Sequence, residues 1–265
     1  MDTFLTGLAP NRIKAWDKVI RILEDRKSDI WSKNFIKALT LCLIKMCKEA
    51  PNSFEAPLPY AHGYTFKQNL IHLAASKGQT KVTMALMACT SAPNAPDEEG
   101  QTPIHFAAKN GHTDVIKSLA PNTVIPNAPD NRGQTPIHYA AKSGHSEVLR
   151  QLMKYTDNPN SLDDWNRTPI YFAAQNGHAE AVKILVTSTS NPNAPGLGGW
   201  TPIHFAAKNG HLEVIKVLVS YTKEPNAPDN DGITPSDLAV KNGYHEIAKI
   251  LKYMISTGST KKNKK

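Results

Sequence analysis

Apolar residues in this chain fall into short clusters with helical spacing, and residues 135–153 show the arrangement clearly. Thr135–Pro136 predicts a helix start, because a threonine hydroxyl can accept a backbone N–H and proline suits the first helical position. The helix is expected over residues 136–143 and ends before Gly144, a residue type that favours a C-terminal turn. The apolar face of a second helix follows, at Val148, Leu149, Leu152 and Met153.

This helix-turn-helix pattern recurs with a period of 33 residues. Pro159–Asn160 and Asp163 predict an extended, turn-rich finger that leads into the next unit. The Thr-Pro pairs begin at Thr102, Thr135, Thr168, Thr201 and Thr234, and one further step back reaches Asn69. A glycine and a Pro-Asn pair return with the same period. One such unit cannot bury its apolar face alone, so six stacked copies are predicted.

The repeated residues resemble the ankyrin-repeat consensus over residues 64–251. The resemblance rests on Asp130, Gly133, Thr135, Pro136, His138, Ala140, Ala141, Gly144 and His145. It implies an all-α ankyrin-repeat solenoid of antiparallel helix pairs with hairpin-like fingers. It also implies a non-enzymatic protein that binds another protein through its finger tips and its inner, concave helices.

The expected repeats cover residues 64–96, 97–129, 130–162, 163–195, 196–228 and 229–251. In the second repeat, Pro121 is expected to end the second helix early. The last repeat has Ser236–Asp237 in place of Ile-His, which suits a terminal repeat with a polar outer face. The residues assigned to this cap are Asp237, Lys241, Lys249 and Lys252.

Residues 1–63 lack the repeated motif but contain apolar clusters typical of helices. Pro51–Asn52 resembles the Pro-Asn pair that closes each repeat. We therefore favour a degenerate N-terminal cap followed by an enlarged finger over residues 53–68. The alternative is an independent helical mini-domain.

The formal charge of +8 is located outside the repeats. Residues 64–251 contain 16 basic and 16 acidic residues, whereas residues 252–265 contain five lysines and no acid. The last fourteen residues are predicted to form a basic disordered tail. The tail is interpreted as a solvated terminus. The alternatives are weak attraction to nucleic acid or to an acidic membrane, which is expected only through this tail, and a nuclear import signal.

The chain begins without a basic segment followed by an apolar run, and its cysteines, Cys42, Cys47 and Cys89, form no Cys-x-x-Cys pair. These features predict a soluble protein in a reducing, intracellular compartment, the cytoplasm or alternatively the nucleus. A monomer is expected.

The histidines do not have the short spacing that a zinc site needs. His72, His105, His138 and His204 share one position of the repeat, and the family resemblance implies that they bond backbone of neighbouring repeats. Tyr171 occupies the same position in the fourth repeat. No catalytic motif and no cofactor-binding motif is present, and the Gly-rich segment 196–199 is expected to be a flexible finger tip.

The finger positions that are not part of the repeated motif vary from one finger to the next. Two consecutive fingers contain tryptophan. Because Trp and Arg are enriched among residues that dominate binding energy, we predict a partner site in these fingers. Its residues are Arg132, Trp165, Arg167, Tyr171, Leu197 and Trp200. The alternative is that Trp165 and Trp200 pack on each other or on Arg167.

The sequence thus predicts a protein-interaction scaffold, adaptor or stoichiometric inhibitor. One alternative is a nucleic-acid or membrane-associated regulator that uses the basic tail. Another is an adaptor for ubiquitin transfer or signalling, in which residues 1–63 dock the effector.

Overall fold

A computed structural model describes residues 70–87, 93–189 and 191–260, with side chains described to residue 253. These residues form twelve α-helices and no strand. The helices are α1 (Leu70–Ser76), α2 (Thr80–Met87), α3 (Pro103–Asn110), α4 (Thr113–Leu119), α5 (Pro136–Ser143), α6 (Ser146–Leu152), α7 (Pro169–Gln175), α8 (Ala179–Val186), α9 (Pro202–Asn209), α10 (Leu212–Tyr221), α11 (Pro235–Lys241) and α12 (His245–Thr260). The predicted all-α repeat fold is confirmed.

The helices form six consecutive pairs, which we number repeats 1–6. The first helix of each pair is called inner and the second outer. The loop before each inner helix is named after its repeat: finger 2 (94–102), finger 3 (127–135), finger 4 (160–168), finger 5 (193–201) and finger 6 (226–234). The described residues divide into two compact units, the first ending at Pro126 and the second beginning at Asn127.

The inner helices begin as the sequence predicts. Thr135 is an N-cap with extended backbone, Pro136 is the first helical residue, and α5 covers the expected residues. The Thr135 N–H donates to Nδ1 of His138 at 3.0 Å, so the histidine side chain completes the cap. The same arrangement is present at Thr102 with His105 and at Thr201 with His204.

In the first unit, α1 packs against α3 and α2 against α4. His72 Nε2 hydrogen-bonds the Gln101 carbonyl at 3.0 Å, and His112 Nε2 bonds the Ser76 carbonyl at 3.0 Å. Helix α4 ends at Leu119 and a 3-10 turn containing Pro121 follows. Because α6 ends at the equivalent residue, Leu152, without a proline, the predicted early end of α4 is not specific to Pro121.

In the second unit, the inner helices α5, α7, α9 and α11 pack in sequence, as do the outer helices α6, α8, α10 and α12. Small side chains allow the inner helices to approach closely. The fully buried residues here include Ile137, Ala140, Ala141, Ile170, Ala173, Ala174, Ile203, Ala206 and Ala207.

The last repeat has the polar surface expected of a terminal cap, together with exposed apolar residues. Asp237, Lys241, Lys249 and Lys252 are exposed, and so are Val240 and Tyr244. Asp237 takes the capping role of the missing histidine, because its Oδ2 accepts the Thr234 N–H at 3.1 Å. The hydrogen bonds from Thr234 hold the pKa of this carboxyl below its usual value.

Two predictions concern the ends of the chain. Residues 252–260 were expected in a disordered tail, but α12 continues to Thr260. Between Leu251 and Thr260 the chain has no proline, which would interrupt the backbone hydrogen bonds. The predicted N-terminal cap or mini-domain (1–63) and Lys261, Lys262, Lys264 and Lys265 lie outside the described residues.

Candidate functional site

Each finger is a tight turn, and in all but one an aspartate stabilises it. Asp163 Oδ1 accepts the backbone N–H of Trp165 at 3.0 Å and that of Arg167 at 2.8 Å. Asp97, Asp130 and Asp229 make the equivalent pairs of bonds in fingers 2, 3 and 6. Finger 5 has Gly196 at this position. Its turn is closed by the bond from the Gly196 N–H to the Trp200 carbonyl at 2.8 Å, and residues Leu197–Gly199 form a 3-10 turn.

Finger 4 departs most from the repeated sequence. Ser161–Leu162 replaces Ala-Pro, and Leu162 is exposed. Asn166 has a φ of 56°, in the left-handed region where the equivalent residue of each other finger is glycine. Asparagine tolerates this conformation better than most residues, so the turn is kept while its side chain differs.

An ion pair joins the two sides of finger 4. The Arg167 guanidinium lies 2.7 Å from Asp163 Oδ2, and the Asp163 side chain is fully buried. Burial acts to raise the pKa of Asp163, but hydrogen bonds from Arg167 and Gln134 outweigh it and hold the pKa below its usual value. Arg167 therefore stabilises the buried carboxylate of Asp163, in addition to its contacts with neighbouring side chains.

Aromatic rings and cations form a continuous cluster across repeats 3–5. The Arg167 guanidinium lies 4.8 Å from the ring centre of Trp165 and 4.7 Å from that of Phe172. Tyr171 packs on Phe205 with centroids 4.5 Å apart, and Phe205 packs on Trp200 at 4.7 Å. We call this set the aromatic–cation cluster; it comprises Lys142, Trp165, Arg167, Tyr171, Phe172, Trp200, Phe205 and Lys208.

The cluster lies where repeats 4 and 5 meet. On the finger side of this junction, the described residues lack two hydrogen bonds that the junctions on either side have: one from a histidine to a carbonyl, and one between finger backbones. His138 Nε2 bonds the Arg167 carbonyl at 3.1 Å, and His204 Nε2 bonds the Ile233 carbonyl at 3.1 Å. Tyr171 at the equivalent position packs on Phe205 instead.

Backbone hydrogen bonds join neighbouring fingers at the junctions on either side of repeats 4 and 5. The Asp164 N–H donates to the Arg132 carbonyl, and the Asn230 N–H donates to the Gly198 carbonyl, each at 3.1 Å. No equivalent backbone hydrogen bond joins the described residues of finger 4 to those of finger 5. On the finger side of this junction, side-chain packing therefore has a larger share in holding the two repeats together.

A family model for ankyrin repeats matches the chain in overlapping segments, at residues 38–130, 71–163, 122–196, 150–229 and 188–263. These matches cover most of the chain. The chain belongs to the ankyrin-repeat family. Ankyrin repeats generally mediate protein–protein interaction. No curated protein matches the chain with significant similarity.

Four of the six residues predicted for the ankyrin-repeat partner site belong to the cluster: Trp165, Arg167, Tyr171 and Trp200. Leu197 is 61% exposed and follows Gly196, which lies against Asn166 and Tyr171 of the preceding repeat. Arg132 is exposed in finger 3, where its carbonyl accepts the bond from Asp164. The structure places the six residues on three consecutive fingers and one inner helix, but it does not test their role.

The alternative interpretation of the tryptophans is correct in part. Trp165 packs on Arg167, yet it remains 41% exposed. Trp200 packs on Phe205, and Lys208 Nζ lies 5.2 Å from its ring centre. Packing on the scaffold and exposure to solvent therefore occur together in this cluster.

Sequence reasoning missed four members of the cluster on the inner helices: Lys142, Phe172, Phe205 and Lys208. A signal was available, since aromatic residues recur with the repeat period at Phe106, Tyr139, Phe172 and Phe205. Lysines recur at the same position of the repeat in Lys109, Lys142, Lys208 and Lys241, with Gln175 in repeat 4.

The repeated histidines have a structural role. His72, His138 and His204 bond carbonyls of the following repeat, as the resemblance implied, and His105 accepts the Thr102 N–H within its own repeat. Desolvation by burial lowers the pKa of His72 and of His138 to about 4, so both are neutral at pH 7.

No group of three or more His, Cys, Asp or Glu in the described part of the chain is placed to hold a metal ion. Within the same residues, no helix is long and apolar enough to span a bilayer.

Proposed function

We propose that this ankyrin-repeat protein is an intracellular, non-catalytic scaffold or adaptor that binds a partner protein across fingers 3–5 and helices α7 and α9. The observation that supports the proposal most is the aromatic–cation cluster with its exposed neighbours. Trp165, Leu162 and Leu197 are 41%, 53% and 61% exposed, in two fingers that meet. Aromatic and arginine side chains supported by a rigid scaffold are typical anchors of protein interfaces.

The cluster is preorganised for binding. Arg167 is held by Asp163 and covers one side of Trp165, so the indole is already restricted before a partner arrives. Trp200 is similarly supported by Phe205. A partner then loses little affinity to ordering of these side chains. The same ordered rings provide flat apolar area with polar groups at their edges.

The test compares two double variants of the full chain. Trp165→Ala/Trp200→Ala removes two indoles of the cluster, and Tyr155→Ala/Tyr221→Ala removes two exposed aromatic residues that follow or end outer helices. Partners are captured with the native chain, identified by mass spectrometry and titrated against each variant. We expect affinity to fall at least 30-fold, the equivalent of a hot spot of about 2 kcal/mol, for the tryptophan variant only. Equal capture by both variants, each shown to be folded by circular dichroism, would contradict the proposal.

The alternatives involving the basic tail or the N-terminal region depend on residues 261–265 and 1–63, outside the described structure. The family match begins at residue 38, within the N-terminal region, and it favours a degenerate repeat there. Repeating the capture with chains that lack residues 261–265 distinguishes the tail hypothesis, since only tail-dependent partners are then lost and their binding is sensitive to salt. The adaptor hypothesis predicts a second set of partners whose capture survives the tryptophan substitutions.

A further inference from the structure

We propose that the segment recognised by the aromatic–cation cluster is an extended acidic peptide with an apolar anchor. This inference rests on the proposed function and adds the chemistry of the partner. It starts from two lysines of the cluster, Lys142 and Lys208, which occupy the same position of α5 and α9. Both are exposed, and each ammonium lies over an aromatic ring, Lys142 at 5.8 Å from the centre of Phe172 and Lys208 at 5.2 Å from that of Trp200.

Acidic and basic residues are both present on the outer helices of the second unit, whereas the inner helices are mainly basic. The outer helices each have a glutamate in the first turn, at Glu147, Glu180, Glu213 and Glu246. Basic residues on the same helices pair with two of these glutamates. Arg150 lies 2.7 Å from Glu180, Lys183 3.6 Å from Glu180 and Lys216 2.7 Å from Glu213.

The inner helices of the second unit contain three lysines and one acidic residue. Their charged residues are Lys142, Lys208, Lys241 and Asp237, and none of these lysines is ion-paired with a described carboxylate. Asp237 lies in the terminal repeat, where it caps α11. The part of the surface between Lys142 and Lys208 therefore attracts carboxylates, and no acidic residue of the inner helices there opposes them.

Geometry sets a spacing for those carboxylates. Helix α5 packs on α7 and α7 on α9, so two helix-to-helix steps of about 8–10 Å separate the lysines. An extended chain advances about 3.3 Å per residue, and roughly five or six residues therefore span the two lysines. Repeat 4 lies between them with Gln175 in place of lysine, and its Tyr171 is half-buried beside Phe205. A peptide with an apolar side chain between two acidic residues matches this order of lysine, tyrosine and lysine on three successive inner helices.

A single-stranded nucleic acid fits the surface less well. Its bases need free ring faces for stacking, whereas Lys142 and Arg167 lie over Phe172, and Lys208 lies over Trp200. A peptide can place apolar residues near Trp165 and Leu197 and its carboxylates near the lysines.

The test is a selection of random dodecapeptides displayed on phage against the immobilised full chain. The selected peptide is then synthesised with a fluorescent label and titrated by anisotropy. The chains compared are the native protein, Lys142→Glu/Lys208→Glu, Trp165→Ala/Trp200→Ala and a charge-matched control, Lys154→Glu/Lys223→Glu. The control substitutes two exposed lysines that lie outside the inner helices. Circular dichroism and thermal melting establish that each variant is folded.

We expect enriched peptides to have two acidic residues separated by four or five others, with an apolar residue between them. Lys142→Glu/Lys208→Glu should weaken binding at least tenfold, and the control less than twofold. The tenfold difference should shrink at 1 M salt, where charges are screened within about 3 Å.

Several results would overturn the inference, and they separate it from the proposed function. Enrichment of neutral or basic peptides that fail to bind Trp165→Ala/Trp200→Ala overturns the acidic partner but keeps the binding surface. Tighter binding of a labelled 12-nucleotide single strand than of the selected peptide also overturns it. Absence of any enriched peptide, or equal binding to the tryptophan variant, counts against both proposals.

Discussion

The ring of Tyr171 in repeat 4 packs on that of Phe205 in repeat 5, with centroids 4.5 Å apart. At the preceding junction the equivalent pair is His138 and Phe172, 5.9 Å apart and edge to face, and the histidine also bonds the Arg167 carbonyl. Tyrosine cannot make the two opposed bonds of a neutral imidazole, one accepted at Nδ1 and one donated from Nε2. The finger side of the junction between repeats 4 and 5 therefore has fewer hydrogen bonds to backbone and more aromatic surface, while His211 and Asn209 of repeat 5 bond the Gln175 carbonyl.

Tyr171→His is expected to stabilise the protein and weaken partner binding. The imidazole would accept the Thr168 N–H and donate to the Trp200 carbonyl, as His138 does for Thr135 and Arg167. We expect the free energy of unfolding in urea to rise by about 1 kcal/mol, the typical value of one cap or hydrogen bond. Loss of the Tyr171 ring from the cluster should reduce affinity for the partner by several-fold.

The reciprocal variant, His138→Tyr, is the control for this substitution. It removes the two hydrogen bonds of the His138 imidazole, to the Thr135 N–H and to the Arg167 carbonyl, and should lower the free energy of unfolding. If Tyr171→His lowers the urea midpoint as His138→Tyr does, the tyrosine contributes more to stability through packing than the histidine would through hydrogen bonds.

Acidification should destabilise the repeats between pH 6.5 and 4. His72 and His138 have folded-state pKa values of about 4, below the value of 6.5 for a free histidine. In this range the unfolded chain binds more protons than the folded one, so the free energy of unfolding falls as pH falls. The largest effect per histidine is on the order of 3 kcal/mol, reached near pH 4.

Urea denaturation at intervals from pH 8 to 4 measures this effect. Stability should be constant above about pH 7, and His138→Tyr should show a shallower decline because one of the titrating groups is gone. The carboxyls of Asp163 and Asp237, whose pKa values are lowered, contribute in a separate range at lower pH. An identical decline in the native chain and the variant would contradict the assignment to His138.

The sequence predicts the scaffold well because each repeat uses local signals. Thr135–Pro136 and Gly144 fix the ends of α5 through cap geometry, without information from distant residues. The shared period also predicts that Trp165 and Trp200 lie on consecutive fingers. Their packing partners could not be predicted in the same way. Whether Arg167 covers Trp165, Phe172 or both depends on side-chain conformations and on how repeats 4 and 5 pack.

Gly177→Ala should cost more stability than Gly243→Ala, although both glycines have nearly the same backbone. Their φ values are 78° and 81°, so alanine is strained equally at each, by about 1 kcal/mol. An added Cβ at Gly177 would lie 2.7 Å from Nδ1 of His211, whereas among the described residues nothing beyond the adjacent residues lies within 4 Å of one at Gly243. His211 also bonds the Gln175 carbonyl at 3.1 Å, and the methyl group would displace it.

We expect the two variants to differ by about 1–2 kcal/mol in the free energy of unfolding, the cost of one hydrogen bond and its packing. Urea denaturation of both variants, with His211→Ala and the double variant Gly177→Ala/His211→Ala, completes the measurement. If the effect of Gly177→Ala is unchanged in the absence of the His211 ring, the contact between these two repeats is not its cause.

Arg167→Lys should destabilise the protein by about 1–2 kcal/mol although the charge is kept. The guanidinium bonds Asp163 Oδ2 through Nε at 2.9 Å and through a terminal nitrogen at 2.7 Å, while its flat face lies over Trp165 and Phe172. A lysine ammonium is compact and cannot make both bonds while stacking on the rings. The matched control is Arg132→Lys in finger 3, an exposed position where the change should be within 0.5 kcal/mol.

A double-mutant cycle with Asp163→Asn separates the ion pair from the stacking. Arg167→Lys should cost less in the Asp163→Asn background, because the buried carboxylate that needs the guanidinium is then absent. The loss of stability that remains in this background is due to the contacts of Arg167 with Trp165 and Phe172. Arg167→Lys should still affect partner binding, because Arg167 positions the indole of Trp165. Equal effects of Arg167→Lys and Arg132→Lys on stability would show that the buried pair does not hold finger 4 in place.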